Sequence, residues 1–80
     1  MLLPRNQELA LANFLKSKPY NAVESQIQYG IKFTLESGVI CNFQGNQSHP
    51  QHFTFYIQNH AANFDQANII EHFASGLAMG

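Results

Sequence analysis

The residues with the most potential for chemistry are the four histidines, and two of them, His49 and His52, lie close enough in the chain to chelate one metal ion. Structural zinc sites usually take four ligands and often include cysteine. The single cysteine, Cys41, falls among apolar residues. We therefore predict ordinary surface or boundary roles for His49, His52, His60 and His72, with no metal and no other cofactor.

No catalytic constellation can be recognised from spacing either. Cys41 alternates with Val39 and Phe43, which predicts a small buried hydrophobe and not an exposed nucleophile. The five acidic residues are spread over different predicted elements, and the five glycines are isolated, so none opens a phosphate-binding loop. We predict that the protein is not an enzyme. A small enzyme would need a cleft that contains Cys41 or a histidine pair.

Charge restricts the class of partner. The four basic residues stand against five acidic ones, giving a formal net charge of -1. Nucleic-acid binders gain much of their affinity by neutralising phosphates, so nucleic acid is not the expected partner. It remains the second hypothesis, a weak nucleic-acid-binding domain in which folding gathers Arg5, Lys16, Lys18 and Lys32 on one side.

Amides are abundant where charge is scarce, since sixteen positions are Asn or Gln. Amide groups donate and accept hydrogen bonds without carrying charge, which suits contact with a neutral partner. A compositional bias of the genome would produce the same enrichment, and the sequence does not separate the two explanations.

The length allows one domain, residues 1–80, because 80 residues with 45% hydrophobic content can close one core. A lone cysteine cannot form an internal disulfide. The apolar run at residues 1–3 is too short for a signal peptide, and no run approaches the roughly 18 apolar residues of a membrane span. These features predict a soluble protein of the cytoplasm with no membrane contact.

The first element that the pattern predicts is an amphipathic helix over residues 6–17, with Leu11, Phe14 and Leu15 on one stripe. Asn6 is the predicted N-cap, and Glu8 lies in the first turn, where the helix dipole favours an anion. Pro19 is predicted to stop the helix.

The clearest pattern is an alternation over residues 26–36, which predicts one long strand with Ile27, Tyr29, Ile31, Phe33 and Leu35 facing inward. A three-residue turn ending at Gly38 then leads into a second strand. A two-residue loop would mix the two faces, whereas the three-residue turn pairs every inward residue with another, namely Leu35 with Val39, Phe33 with Cys41 and Ile31 with Phe43.

A third strand is predicted over residues 52–58, with Phe53, Phe55 and Ile57 inward, after a connection over residues 45–51. The last helix has Asp65 as its predicted N-cap and Gly76 as its predicted end. Its apolar stripe comprises Ile69, Ile70, Phe73, Ala74 and Leu77.

Together these elements predict a single small α+β domain in the order helix-strand-strand-strand-helix, a three-stranded antiparallel meander with both helices packed on one face. This order is similar to that of double-stranded RNA-binding domains. Such domains resemble one another in a basic cluster that opens the last helix, whereas here the sequence of residues 65–68 is Asp-Gln-Ala-Asn. No functional residue is transferred, and the comparison counts against RNA as the partner.

The predicted function is that of a small, non-enzymatic protein-binding module that acts by occupying a larger protein. Inhibitors, immunity-type proteins and adaptors, for example encoded by phages or plasmids, belong to this class. The predicted contacts are the polar sheet face, an open strand edge and the 45–51 loop, and a strand edge also predicts a possible homodimer. The predicted partner-binding residues are Gln28, Lys32, Thr34, Asn42, Gln44, Asn46, His49, His52, Thr54, Tyr56 and Gln58.

Overall fold

The structure, a computed structural model, describes residues 1–59 and 66–79. In these ranges the chain is a small α+β domain with a five-stranded antiparallel sheet in the order β1-β5-β4-β3-β2. A short 3-10 helix, Arg5–Gln7, leads into the first α-helix. The elements are β1 (Leu2–Pro4), α1 (Glu8–Lys16), β2 (Val23–Ile27), β3 (Gly30–Thr34), β4 (Ile40–Gly45), β5 (His52–Gln58) and α2 (Gln66–Met79).

The long strand predicted over residues 26–36 is wrong, because the chain reverses at Gln28 and Tyr29 and forms the β2-β3 hairpin. Tyr29 has φ 67° and is 73% exposed, so it is a turn residue and not a core residue. The two-residue loop pairs odd positions of β3 with even positions of β2. Ile27 therefore lies on the face opposite to Ile31, against the prediction.

The predicted β3-β4 hairpin is confirmed in register and in turn length. Phe33 lies opposite Cys41, and the Leu35 amide donates to the Val39 carbonyl at 2.8 Å. Gly38 closes the turn with φ 94°, a left-handed conformation that favours glycine. The strand predicted over residues 52–58 is confirmed with its bounds, as β5.

The remaining strand, β1, was not predicted, and it pairs with β5 at the edge of the sheet. With β1 ahead of the first helix and an additional hairpin strand, the order is strand-helix-four strands-helix. The predicted three-stranded meander is therefore incomplete, and the agreement with the element order of double-stranded RNA-binding domains is lost.

The helix termini differ from the prediction at two points, Asn6 and Gly76. Asn6 lies inside the 3-10 helix, and the N-cap position of α1 is Gln7, whose side chain makes no capping hydrogen bond. α1 ends at Lys16, ahead of Pro19 as predicted. α2 continues through Gly76 to Met79, so Gly76 does not end it, and the predicted N-cap Asp65 lies outside the described residues.

The core forms where buried side chains of both helices meet one face of the sheet. Leu11 and Leu15 of α1 and Ile69 and Phe73 of α2 belong to the same buried cluster as the inward residues of β3, β4 and β5. The ring of Phe43 is central in this cluster. Its centroid lies 4.7, 4.9 and 5.7 Å from those of Phe33, Phe53 and Phe55. Within the described ranges, neither helix is long and apolar enough to cross a membrane.

Candidate binding surface

The outer face, as we name it, is the sheet face opposite the one on which α1 and α2 pack. Cross-strand pairing fixes its rows: Lys32, Asn42 and Tyr56 form the middle row across β3, β4 and β5. The outer face comprises Lys32, Thr34, Ile40, Asn42, Gln44, Thr54, Tyr56 and Gln58. Seven of the eleven predicted partner-binding residues thus lie together on one surface, and Lys32 is the one charged residue among the eight.

Asn42 occupies the centre of the outer face and is 2% exposed. Its Nδ2 donates to Gln58 Oε1 at 2.9 Å, and cross-strand neighbours Lys32 and Tyr56 flank it. Buried amides are satisfied by hydrogen bonds in this way because an unpaired one would be costly. Asn42 itself is therefore not accessible to a partner, whereas its neighbours Lys32, Tyr56 and Gln58 are at least partly exposed.

Apolar side chains extend the outer face toward both sheet edges. Val23 of β2 is 69% exposed and lies opposite Thr34, and the exposed Leu2 of β1 lies opposite Thr54. Sequence reasoning missed the contribution of β2 because it continued one strand through the turn. The available signal was Gly30, since an isolated glycine within a strand pattern indicates a turn, a bulge or a close backbone approach.

The loop between β4 and β5 is attached to this surface by Asn46. Its Oδ1 accepts from the amides of Ser48 and His49 at 3.0 and 3.2 Å, and its Nδ2 donates to Thr54 Oγ1 at 3.4 Å. The predicted residues Asn46 and His49 are thus held beside the outer face. Two predicted residues remain. His52 is the first residue of β5 and faces the same side of the sheet as Thr54, and Gln28 lies in the exposed β2-β3 turn.

The two predicted chelators, His49 and His52, lie with ring centroids 6.2 Å apart in an edge-to-face arrangement. No group of three or more His, Cys, Asp or Glu side chains forms a metal site in residues 1–59 and 66–79. His72 contacts the Tyr20 hydroxyl through Nδ1 at 3.3 Å, and His60 lies outside the described residues.

An open cavity of about 470 Å³ lies at the end of the sheet where the β2-β3 turn approaches the 45–51 loop. Its lining comprises Arg5, Tyr29, Gln44, Gly45, Asn46, Gln47 and Pro50. Arg5 is held there, because its Nε donates to the Pro50 carbonyl at 3.3 Å and its Nη1 pairs with Glu8 at 3.1 Å. Gln44 and Asn46 border both the cavity and the outer face, so the two form one continuous surface.

The basic residues do not all gather on one side. Arg5 pairs with Glu8 beside the cavity, Lys16 pairs with Glu24 on the helix side of the sheet, and Lys32 belongs to the outer face. Two of the four basic side chains are thus locally neutralised. A phosphate-binding surface would need unpaired cations aligned together.

Cys41 is buried opposite Phe33, and desolvation raises the pKa of its thiol to about 12. At pH 8 the thiolate fraction is then on the order of one in ten thousand, and the thiolate is the reactive form. We expect iodoacetamide to leave the native protein unmodified over hours and to label it fully in guanidinium chloride, as measured by mass spectrometry. A Ser48→Cys variant, with an added exposed thiol, should gain one label in the native state. Rapid labelling of native Cys41 would contradict this prediction.

Comparison with protein-family models, with curated proteins and with solved structures gives no significant match. The interpretation of the outer face therefore depends on its own chemistry.

Proposed function

We propose that the protein is a cytoplasmic binding module that occupies a larger protein through its outer face. The observation that carries this proposal is the composition of that face, in which amide and hydroxyl side chains surround Tyr56 and apolar side chains lie at the rim. The cores of protein–protein interfaces are depleted in charge and enriched in aromatic residues, which this composition matches.

The fixed conformation of the side chains on the outer face supports the proposal as well. Its side chains stand on three paired strands, the Asn42–Gln58 hydrogen bond fixes the centre, and the Asn46–Thr54 hydrogen bond fixes the adjacent loop. Side chains that are already positioned lose less conformational entropy on association. A partner with complementary hydrogen-bonding groups could therefore bind without rearranging this face.

Occupation of a partner requires shape and hydrogen bonding but no reactive group, and it is how inhibitors, immunity-type proteins and adaptors act. An origin in a phage or plasmid belongs to the same proposal. Because charge contributes little to the outer face, the complex should persist at high salt, unlike a complex led by phosphate contacts.

Affinity capture from the source cell with matched surface variants tests the proposal. Thr34→Arg/Tyr56→Arg places two cations on the outer face, and Leu9→Arg/Ala74→Arg places two cations at exposed positions of α1 and α2. We expect the first variant to lose the captured partner by at least about 30-fold, the size of one hot-spot contact. The second should retain it, as measured by quantitative mass spectrometry.

Equal capture by the two variants would remove the outer face from the proposal. Loss of the partner in the Leu9→Arg/Ala74→Arg protein alone would move the contact to the helices. Circular dichroism of both variants establishes that folding is unchanged, and capture at about 1 M salt separates protein contact from phosphate-led binding, because the Debye length then falls to roughly 3 Å.

A further inference from the structure

The two edges of the sheet differ in what they offer to another strand. β1 has three residues, and Pro4 lacks an amide hydrogen, so that edge is short and partly blocked. β2 has five residues, and positions 23–26 are all exposed. No described strand lies beside the free side of β2, which therefore has the longer accessible edge.

The hydrogen-bond pattern identifies which groups of β2 point outward. The Leu35 amide donates to Val39, so the odd residues of β3 bond to β4 and its even residues bond to β2. Those even residues of β3 pair with Val23, Ser25 and Ile27, so the backbone groups of these three β2 residues bond to β3. The amides and carbonyls of Glu24 and Gln26 therefore point away from the sheet. The amide of Ala22, the next one toward the N-terminus that would point outward, is already bound, because it donates to the Leu15 carbonyl at 2.9 Å.

We propose that β2 pairs antiparallel with β2 of a second copy of this chain, with the two-fold axis at Ser25. In this register Glu24 lies opposite Gln26 of the second copy, and Val23 lies opposite Ile27 of the second copy. The outward amides and carbonyls of Glu24 and Gln26 then form hydrogen bonds across the axis in both directions.

The sequence of β2 is complementary to itself in this register. The pairing covers Val23, which is 69% exposed in the single chain, with an apolar partner. Glu24 faces a neutral amide, and its charge is already paired with Lys16. An edge charge usually protects a strand against pairing, but here the ion pair reduces that protection.

Neighbouring registers are less favourable. A shift of two positions in one direction places Glu24 opposite Glu24 of the second copy, and like charges directly opposite are destabilising. The same shift in the other direction places Glu24 opposite Gln28, where the turn has ended the strand. A shift of one position brings side chains of opposite sheet faces together. The register centred on Ser25 is therefore the one that satisfies charge, face and strand length.

The assembly would be a continuous ten-stranded antiparallel sheet in which the outer faces of the two copies adjoin. It does not depend on the proposed function, since it needs no other protein. Self-association of pure protein and capture of a cellular partner are separate measurements, so either can fail without the other.

A disulfide across the axis tests the register. In a Ser25→Cys variant the two introduced thiols form a non-hydrogen-bonded pair, for which the Cα separation is about 4.5 Å, within the range of disulfides. We expect mild oxidation to give a covalent dimer of twice the 9.0 kDa chain mass. A Val23→Cys control, whose thiol faces Ile27 of the second copy, should stay monomeric. Equal cross-linking of the two variants, or none in Ser25→Cys, would overturn the proposal.

Charge pairs give a second, reversible test by sedimentation of folded protein. Val23→Lys/Ile27→Lys places two cations opposite each other on both sides of the axis and should abolish the dimer. Val23→Lys/Ile27→Glu places opposite charges together and should restore it. Wild-type protein that remains monomeric even at about 1 mM, where a dissociation constant of that size gives a measurable dimer fraction, would overturn the proposal. The proposal would also be overturned if the β2 edge paired with a strand of another protein and never with β2 of a second copy.

Discussion

Gly30→Ala is expected to lower the free energy of unfolding by about 3 kcal/mol or more, which places it among the severe single substitutions. A Cβ at position 30 would lie 2.0 Å from the Phe43 carbonyl oxygen. That oxygen belongs to the backbone of a central strand, so it cannot move aside as a flexible side chain would. β3 would have to separate from β4 at its first residue, where the β2-β3 turn ends. Urea unfolding followed by circular dichroism measures the loss.

Gly45→Ala is the matched control, because it adds the same methyl group at a strand residue near the same end of the sheet. Its Cβ would lie 3.5 Å from Arg5 Nη2 and from the Tyr29 carbonyl oxygen, which is ordinary van der Waals contact. A change below about 1 kcal/mol is expected there. Similar urea midpoints for the two variants would show that β3 and β4 do not approach as closely as described.

The β3-β4 hairpin could be predicted because all the information lies within residues 31–43. Alternation fixes which side chains face inward, and Gly38 supplies the left-handed residue that a three-residue turn requires. A two-residue loop would instead pair inward with outward positions. The strand β5 was predictable for the same local reason, since Phe53, Phe55 and Ile57 alternate without interruption.

The β2-β3 turn could not be predicted from alternation, because the pattern of residues 26–36 continues without a break across it. Tyr29 adopts φ 67°, which is uncommon for a residue with a side chain, and a conventional turn sequence such as Asn-Gly is absent there. The close approach of Gly30 to β4 is a tertiary contact. Only Gly30 itself signalled that the strand was not uniform.

β1 was missed for a different reason. Its three residues pair with β5, fifty positions away in the chain, so no local pattern identifies them. An apolar pair before proline reads equally well as the approach to a helix. Short edge strands are defined by their neighbours and less by their own sequence.

Most of the outer face was predictable, because alternate side chains of β3, β4 and β5 point to the same face of the sheet. The burial of Asn42 was not, since it depends on the neighbouring strands, where Lys32 and Tyr56 flank it and Gln58 accepts its hydrogen bond. The exposed apolar rim at Val23 was missed together with the turn. Sequence reasoning therefore could not supply the features of the surface that depend on how neighbouring strands lie beside one another.

Phe43→Ala is expected to cost about 3–5 kcal/mol, the range for removing a buried aromatic side chain. The Phe43 ring is 1% exposed and contacts three other phenylalanine rings, so its loss leaves a cavity between β3 and β5 that strands paired on both sides cannot easily fill. At about 0.05–0.15 kcal/mol per residue, a domain of this size has a total stability of roughly 4–12 kcal/mol. The melting temperature of the variant should therefore fall by roughly 12 °C or more, as measured by thermal unfolding and amide dispersion in NMR spectra.

Phe14→Ala is the control that separates this effect from the loss of any aromatic ring. Phe14 is half-buried, and its ring pairs with Tyr20 at 5.3 Å and Phe73 at 5.6 Å beside a groove between the helices. Because water already reaches this site, truncation leaves no closed cavity, and a loss of about 1–2 kcal/mol is expected. Conversely, a Phe14→Ala protein less stable than Phe43→Ala would place the main stabilisation between the helices. The four-phenylalanine cluster on the sheet would then no longer be the centre of the core.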